Sequence, residues 1–67
     1  MKELPFVEDI YDLETEQLET IFHEIKNELA KGPQHAKLPK GVDSYEKFER
    51  KAAKLIDCIE LELEERA

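Results

Sequence analysis

A connector rich in helix-breaking residues divides this chain into two amphipathic halves. Residues 32–43 contain two of the three prolines and both glycines of the chain, and proline inside this segment forbids a continuous helix. At about a dozen residues the connector is long enough to let the chain reverse direction, and its Leu38 and Val42 can fold back onto a core. The sequence therefore predicts an all-α fold, an antiparallel helical hairpin.

The second half carries the stronger helical pattern. Its apolar residues recur at steps of three and four positions, and at about 100° per residue they form one stripe along a helix. The stripe consists of Tyr45, Phe48, Ala52, Leu55, Ile56, Ile59 and Leu63. Asp43 or Ser44 can cap its start, because short polar side chains accept hydrogen bonds from first-turn N–H groups. We predict a helix over residues 44–64.

The first half carries a shorter stripe with clear ends. Its apolar residues are Leu18, Ile21, Phe22, Ile25 and Leu29. Thr15 is a suitable N-cap, and Lys31, Gly32 and Pro33 form a stop in which a cation precedes glycine and proline. We predict a helix over residues 15–31.

Residues 1–14 form an N-terminal segment that is too apolar for a free tail. Pro5 can occupy the first position of a short helix, in which Phe6, Ile10 and Leu13 would lie at helical spacing. An extended arm laid across the hairpin is the alternative. Either structure would cover the side of the two helices that their facing stripes leave open.

The length of 67 residues allows a single small helical domain over residues 1–67. Such a chain buries only about 60% of its unfolded surface, and its single cysteine, Cys58, excludes an internal disulfide. We therefore expect a homodimer in which two hairpins form a four-helix arrangement. The lone thiol, the lack of a signal peptide and the lack of an apolar run of about 18 residues favour a cytoplasmic protein.

Charge is sorted by position along the chain. Residues 1–30 carry nine acids and two lysines, residues 31–54 carry seven bases and three acids, and residues 55–67 carry five acids and one arginine. In a hairpin the two acidic blocks meet at one end, where their field can steer a basic partner. The net charge of −7 opposes direct binding to nucleic acid or to anionic membranes. We expect a protein partner with a basic surface, with no nucleic acid and no membrane as ligand.

Residues 60–65 place acids in the last turns of the second helix, where they oppose the helix dipole at a cost of about 0.3–1 kcal/mol each. Leu61 points opposite Leu63 and away from the stripe, as an interface anchor would. The alternative is a helix end that frays in water. The candidate partner-binding residues are Asp57, Glu60, Leu61, Glu62, Glu64 and Glu65, joined by Asp12 and Glu16 from the other acidic block.

The remaining polar residues form no recognisable chemical site in the sequence. His23 lies four positions after Glu19 but on the solvent side of its helix, and His35 lies in the connector. Cys58 falls on the flank of the second stripe, where a small packing side chain is favoured over a reactive thiol. The connector lysines could hold an anion only weakly, since the residue order of a phosphate loop is absent. We predict no catalytic, cofactor-binding or metal-binding residues.

Two functions fit these features. The first is a non-enzymatic protein–protein interaction module or small regulator that acts through the acidic helix end. The alternative is an acidic inhibitor, such as an immunity protein, an antitoxin or a nucleic-acid mimic, that blocks a basic site on its partner. A mimic should place its acids along one face rather than gather them at an end.

At the end of the hairpin away from the acidic helix end, we expect the basic side chains of residues 47–54 to face Glu24 and Glu28 across the helix pair.

Overall fold

Two long helices form an antiparallel hairpin in the computed structural model, which describes residues 3–67. Helix α1 spans Thr15–Lys31, helix α2 spans Tyr45–Arg66, and a short 3-10 helix, Val7–Asp12, precedes them. The Tyr45 hydroxyl at the start of α2 donates a hydrogen bond of 3.0 Å to the Leu29 carbonyl near the end of α1. At the other end, Arg66 donates to Thr15 Oγ1 over 3.4 Å. The predicted all-α hairpin is confirmed.

Both helices begin at capped positions. Thr15 is the first residue of α1 rather than its N-cap, so that assignment was wrong by one residue. The N-cap is Glu14, whose backbone N–H donates to Gln17 Oε1 over 3.0 Å. Ser44 caps α2 as predicted, and its Oγ accepts a hydrogen bond from the Lys47 backbone N–H at 3.3 Å. Each cap satisfies a backbone group that the first helical turn leaves without a partner.

The two helices end for different reasons. Gly32 stops α1 in a conformation with φ of +80°, which glycine adopts without steric cost, and its N–H donates to the Leu29 carbonyl over 3.2 Å. Helix α2 runs two residues past its predicted end at residue 64 and includes Arg66. The extension has a physical cause, because the Arg66 side chain makes contacts that hold the last turn in place.

The core lies between α1, α2 and the 3-10 helix. Ile10, Leu18, Ile25, Phe48, Ala52 and Ile59 are fully buried and Leu55 nearly so. The two predicted stripes supply all of these residues except Ile10. Full burial of a large apolar side chain contributes about 1.5–3 kcal/mol to stability, so this cluster is the main reason that the hairpin closes.

The N-terminal segment contains a short helix, one of the two alternatives that the sequence left open. The 3-10 helix begins at Val7 and follows residues 3–6, which have no regular secondary structure, so Pro5 is not the first residue of a helix. Ile10 is fully buried, whereas Leu4, Val7 and Leu13 are only partly buried against the core. The predicted segment starts at residues 1 and 2, which lie outside the described part of the chain. The segment covers the open side of the hairpin, but it leaves apolar surface exposed.

The connector folds back along the hairpin rather than looping away from it. Pro39 is fully buried, and Leu38 and Val42 pack against the core as predicted. The Lys37 backbone N–H donates to Glu28 Oε1 over 2.8 Å. This hydrogen bond ties the connector to the last turns of α1.

Candidate functional site

The outward side of the last turns of α2 carries a shallow depression with an acidic rim. It is lined by Asp57, Glu60, Leu61, Leu63, Glu64 and Ala67. Leu61 is 61% exposed, whereas Leu63 packs against the core. Side chains two positions apart on a helix point in directions that differ by about 160°. This explains why the sequence correctly placed Leu61 on the side of α2 that faces away from the core.

Four of the predicted partner-binding residues share this depression, and we call them the acidic face: Asp57, Glu60, Leu61 and Glu64. Asp57, Leu61 and Glu64 follow one another at helical spacing, and the distance from the first to the last is about 10 Å along the axis. The arrangement presents one large apolar side chain between carboxylates. Such a surface can accept an apolar group that is flanked by lysine or arginine.

Glu62 lies apart from the acidic face because it pairs with Arg66. Glu62 Oε2 is 2.8 Å from Arg66 Nε, and the Glu62 side chain is only 14% exposed. Arg66 Nη1 also donates to the Leu13 carbonyl over 2.8 Å, and Nη2 donates to the Tyr11 carbonyl over 3.3 Å. One guanidinium therefore fastens the end of α2 to the segment before α1.

Sequence reasoning missed the role of Arg66, although a signal for it was present. Glu62 and Arg66 stand four positions apart with the acid first, which is the favourable order on a helix. A cation in the last turn also suits the helix dipole. The contacts with Tyr11 and Leu13 could not be read from spacing, since they join residues more than 50 positions apart.

The Arg66 contacts with Leu13 and Tyr11 place carboxylates from both acidic blocks at one end of the molecule, as predicted. Asp12, Glu16 and Glu65 are exposed. Glu16 lines a second depression on α1, together with Leu13 and Ile21. Asp12 and Glu65 lie outside these two depressions. The structure thus separates the eight predicted residues into the acidic face, the paired Glu62, and exposed carboxylates around it.

The basic end of the hairpin does not form the predicted ion pairs between helices. Within residues 3–67, no ion pair joins α1 to α2. The Lys47 ammonium pairs with Asp43 at 3.0 Å and Arg50 pairs with Glu46 at 2.7 Å, so both partners lie one turn earlier in the chain. Neighbours one turn apart are always within reach, whereas partners on another helix must be placed by packing. The expectation that these residues face Glu24 and Glu28 was wrong.

Glu28 is instead buried beneath the connector, with only 8% of its surface exposed. Its carboxylate accepts the Lys37 backbone N–H at 2.8 Å and pairs with the Lys31 ammonium at 3.0 Å. The Lys37 backbone hydrogen bond, followed by the hydrogen bond from Lys31, holds the pKa of Glu28 below its ordinary value despite some desolvation. Glu28 is therefore a structural residue that fixes the connector on α1.

The other singled-out residues occupy the positions that their patterns suggested. His23 and His35 are exposed, and Cys58 is a partly buried free thiol that packs against the core. Lys31 is engaged with Glu28. In the part of the chain that the structure describes, no three histidine, cysteine, aspartate or glutamate side chains cluster as a metal site would.

No protein-family model, curated protein or solved structure matches this chain. Across residues 3–67, none of the helices combines the length and apolar character needed to cross a membrane.

Proposed function

We propose that this protein is a small non-enzymatic interaction module, and that its acidic face binds a basic surface on another protein. The observation that carries the proposal is Leu61, which is 61% exposed and stands between the carboxylates of Asp57, Glu60 and Glu64. Exposed leucines are common on protein surfaces, but one with carboxylates one turn before and one turn after it on the same helix resembles the anchor of an interface.

The two components of the acidic face would act at different stages of binding. Carboxylates around the rim attract a basic surface and raise the rate of encounter. Leu61 then gains free energy by leaving water, at about 25 cal/mol for each Å² of apolar surface that the partner covers. The proposal therefore needs a partner with both a basic rim and an apolar contact.

The end of α2 is held in a fixed conformation, which supports a role in binding. Acids in the last turns of an isolated helix would promote fraying, but the Arg66 contacts hold this end against Leu13 and Tyr11. A surface that is already ordered loses less conformational entropy when it binds. The acidic face is thus presented on a fixed helix rather than on a loose tail.

The alternative function, an acidic inhibitor, is less well supported in the form of a nucleic-acid mimic. Arg50 and Lys54 precede Asp57 by seven and three positions, so they lie on the same side of α2. They interrupt any long row of acids along that helix. The carboxylates are gathered at one end, which favours the interaction module over a mimic of a charged backbone.

A homodimer belongs to the same proposal, because the outward side of α2 is complementary to itself. Arg50 and Lys54 occupy one half of it, and Glu60 and Glu64 occupy the other. An antiparallel pair of α2 helices related by a twofold axis would place Arg50 opposite Glu64 and Lys54 opposite Glu60, with the two Asp57 carboxylates meeting at the axis. Exposed ion pairs contribute only about 0–1 kcal/mol each, so we expect this dimer to be weak and to yield to a basic partner.

The proposal is tested by affinity capture from an extract of the cells that produce the protein. The wild type is compared with the Glu60→Gln, Glu64→Gln double variant and with Leu61→Ala. A matched control, Glu19→Gln with Glu49→Gln, removes the same charge from exposed sites elsewhere. We expect a protein held by the wild type and the control, lost from both acidic-face variants, and released at about 1 M salt, where the Debye length is about 3 Å. Equal capture by all variants would contradict the proposal.

A further inference from the structure

A second apolar surface lies on the other side of the acidic end, between the N-terminal segment and α1. Two shallow depressions there meet at Leu13 and Ile21, which line both. Leu4 and Phe6 extend the apolar floor into the depression beside the N-terminal segment. Because the depressions share two residues, they form one continuous strip, which we call the acid-rimmed strip.

The floor of the acid-rimmed strip is incompletely covered by the fold. Leu4, Leu13 and Ile21 pack against the core but remain only partly buried. Phe6 is 68% exposed, more than Tyr11 or Leu61, the other exposed large apolar residues within residues 3–67. Four neighbouring apolar residues with open surface form a larger target than the single leucine of the acidic face.

The rim of the strip is entirely acidic. Its charged lining residues are Glu3 and Asp9 in one depression and Glu16 and Glu24 in the other. All four are exposed, and none takes part in an ion pair within residues 3–67. Within residues 3–67, the strip therefore offers four carboxylates whose charges no bound cation balances.

We propose that the acid-rimmed strip binds a basic amphipathic helix of another protein. A helix with apolar residues at i, i+3 or i+4, and i+7 places them in one row, with lysine or arginine on both flanks. That row matches the floor made by Phe6, Leu13 and Ile21. The flanking cations match the rim, whose α1 part extends about 12 Å from Glu16 to Glu24, or roughly two turns of the bound helix.

Two other occupants fit the strip less well. An anionic membrane surface would be repelled by the four carboxylates. A second copy of this chain could offer the basic half of α2, but the side chain between Arg50 and Lys54 on that side is the small Ala53. On that side, the basic half of α2 therefore has no large apolar side chain that could contact the floor of the strip.

Two lysines beside Phe6 determine how the bound helix orients its charges. Phe6 also borders a groove that contains Lys51 and Lys54 of α2. Cations of the ligand are repelled there and attracted by Glu16 and Glu24. The inference goes beyond the proposed function, because it uses different residues from the acidic face and names the class of ligand.

The experiment is a titration of the full chain into a fluorescently labelled synthetic helix, followed by anisotropy. The probe has leucines at i, i+4 and i+7 and lysines on both flanks. One control peptide replaces the lysines with glutamate, and another replaces the leucines with serine. We expect the first peptide to bind with an affinity that falls as salt rises, and both controls to bind at least tenfold more weakly.

Variants of the protein locate the binding surface. Phe6→Ala should weaken binding by about tenfold, since most of that ring is open to the ligand. Glu16→Gln with Glu24→Gln should weaken it and flatten its salt dependence. The Glu19→Gln, Glu49→Gln control should bind as the wild type does, and Leu61→Ala tests whether the acidic face holds the peptide instead. Circular dichroism melting checks that each variant is folded, which the exposure of Phe6 and of the two glutamates favours.

Three outcomes would overturn the inference. Unchanged binding by Phe6→Ala and by the Glu16, Glu24 variant would show that the strip is not used. Loss of binding in Leu61→Ala instead would place the peptide on the acidic face, which supports the proposed function while refuting this one. Self-association of the protein that Phe6→Ala abolishes would identify a second copy as the occupant.

Discussion

Arg66 joins the Glu62 carboxylate to the Leu13 carbonyl, with a distance of 2.8 Å to each. This relationship connects the last turn of α2 to the segment before α1. It converts a helix end that is crowded with acids into an ordered part of the fold. Because Glu62 pairs with Arg66, it is a structural residue. The neighbouring Glu60, Glu64 and Glu65 are exposed to solvent.

Replacing Arg66 with alanine should destabilise the protein by about 1.5–3 kcal/mol, the range typical of hydrogen bonds to charged groups. The loss should appear as a lower midpoint in urea denaturation. Arg50→Ala is the matched control, because its pair with Glu46 is exposed on both sides and is worth about 0–1 kcal/mol. Equal effects of the two substitutions would show that the Arg66 contacts do not stabilise the fold.

The glutamates near the end of α2 should respond differently to neutralisation. Glu60→Gln, Glu64→Gln and Glu65→Gln should each raise stability by about 0.3–1 kcal/mol at low salt, because they remove charge that opposes the helix dipole. Glu62→Gln should lower stability, since it weakens the pair with Arg66. Thermal melting of the four variants in low-salt buffer makes the comparison. A melting temperature for Glu62→Gln as high as that of Glu64→Gln would be inconsistent with the pair.

Core substitutions should come close to unfolding the chain. Phe48→Ala and Ile25→Ala remove fully buried side chains and should cost about 2–5 kcal/mol each. A domain of this size has a total stability of only about 3–5 kcal/mol. Phe6→Ala removes an equally large ring from an exposed site and should leave the fold intact. Well-dispersed amide signals from Phe48→Ala in a proton–nitrogen correlation spectrum would refute the core assignment.

Glu28 makes stability depend on pH in the acid range. Its folded-state pKa is lower than its ordinary value, so the carboxylate stabilises the fold at higher pH. That contribution is lost as the pH falls through the folded-state pKa. Wild-type stability should therefore drop on acidification below about pH 4.3, the ordinary pKa of glutamate, and Glu28→Gln should show a flatter profile there.

Asp43 provides the control for this pH effect. The hydrogen bond from Lys47 and the Lys47 charge lower its pKa as well, but its side chain is 77% exposed. Solvent screens such a pair strongly, so Asp43→Asn should change the profile much less than Glu28→Gln. Chemical denaturation repeated across the acid range measures both variants. Identical profiles for wild type and Glu28→Gln would rule out the structural role of Glu28.

The self-complementary side of α2 predicts a charge-swap result. Arg50→Glu with Lys54→Glu, and separately Glu60→Lys with Glu64→Lys, should each abolish the weak homodimer, because like charges would then face each other. Mixing the two variants should restore association as a heterodimer. Sedimentation velocity at low salt distinguishes these states. If each of the two variants still forms a dimer when measured alone, the dimer uses another surface.

Much of this fold was predictable because its determinants are local. The two apolar stripes and the proline and glycine pattern of the connector specify helices near the observed bounds. The angle between successive side chains placed Leu61 outside and Leu63 inside. These conclusions need only the helical repeat, so they hold without knowledge of how the helices pack.

The features that the sequence did not reveal depend on contacts between distant residues. Burial of Glu28 requires the connector to return along α1 so that Lys37 can donate its backbone N–H. The contacts of Arg66 with Tyr11 and Leu13 require the hairpin to be closed first. Spacing along one helix gives no information about either. The open surface around Phe6 was missed for the same reason.

Both proposals require the closed antiparallel hairpin, which nuclear Overhauser effects in solution can test. The structure predicts cross-peaks between Arg66 and Leu13 at one end and between the Tyr45 ring and Leu29 at the other. Helical contacts that continue without a break through residues 32–43, with neither set of cross-peaks, would contradict it.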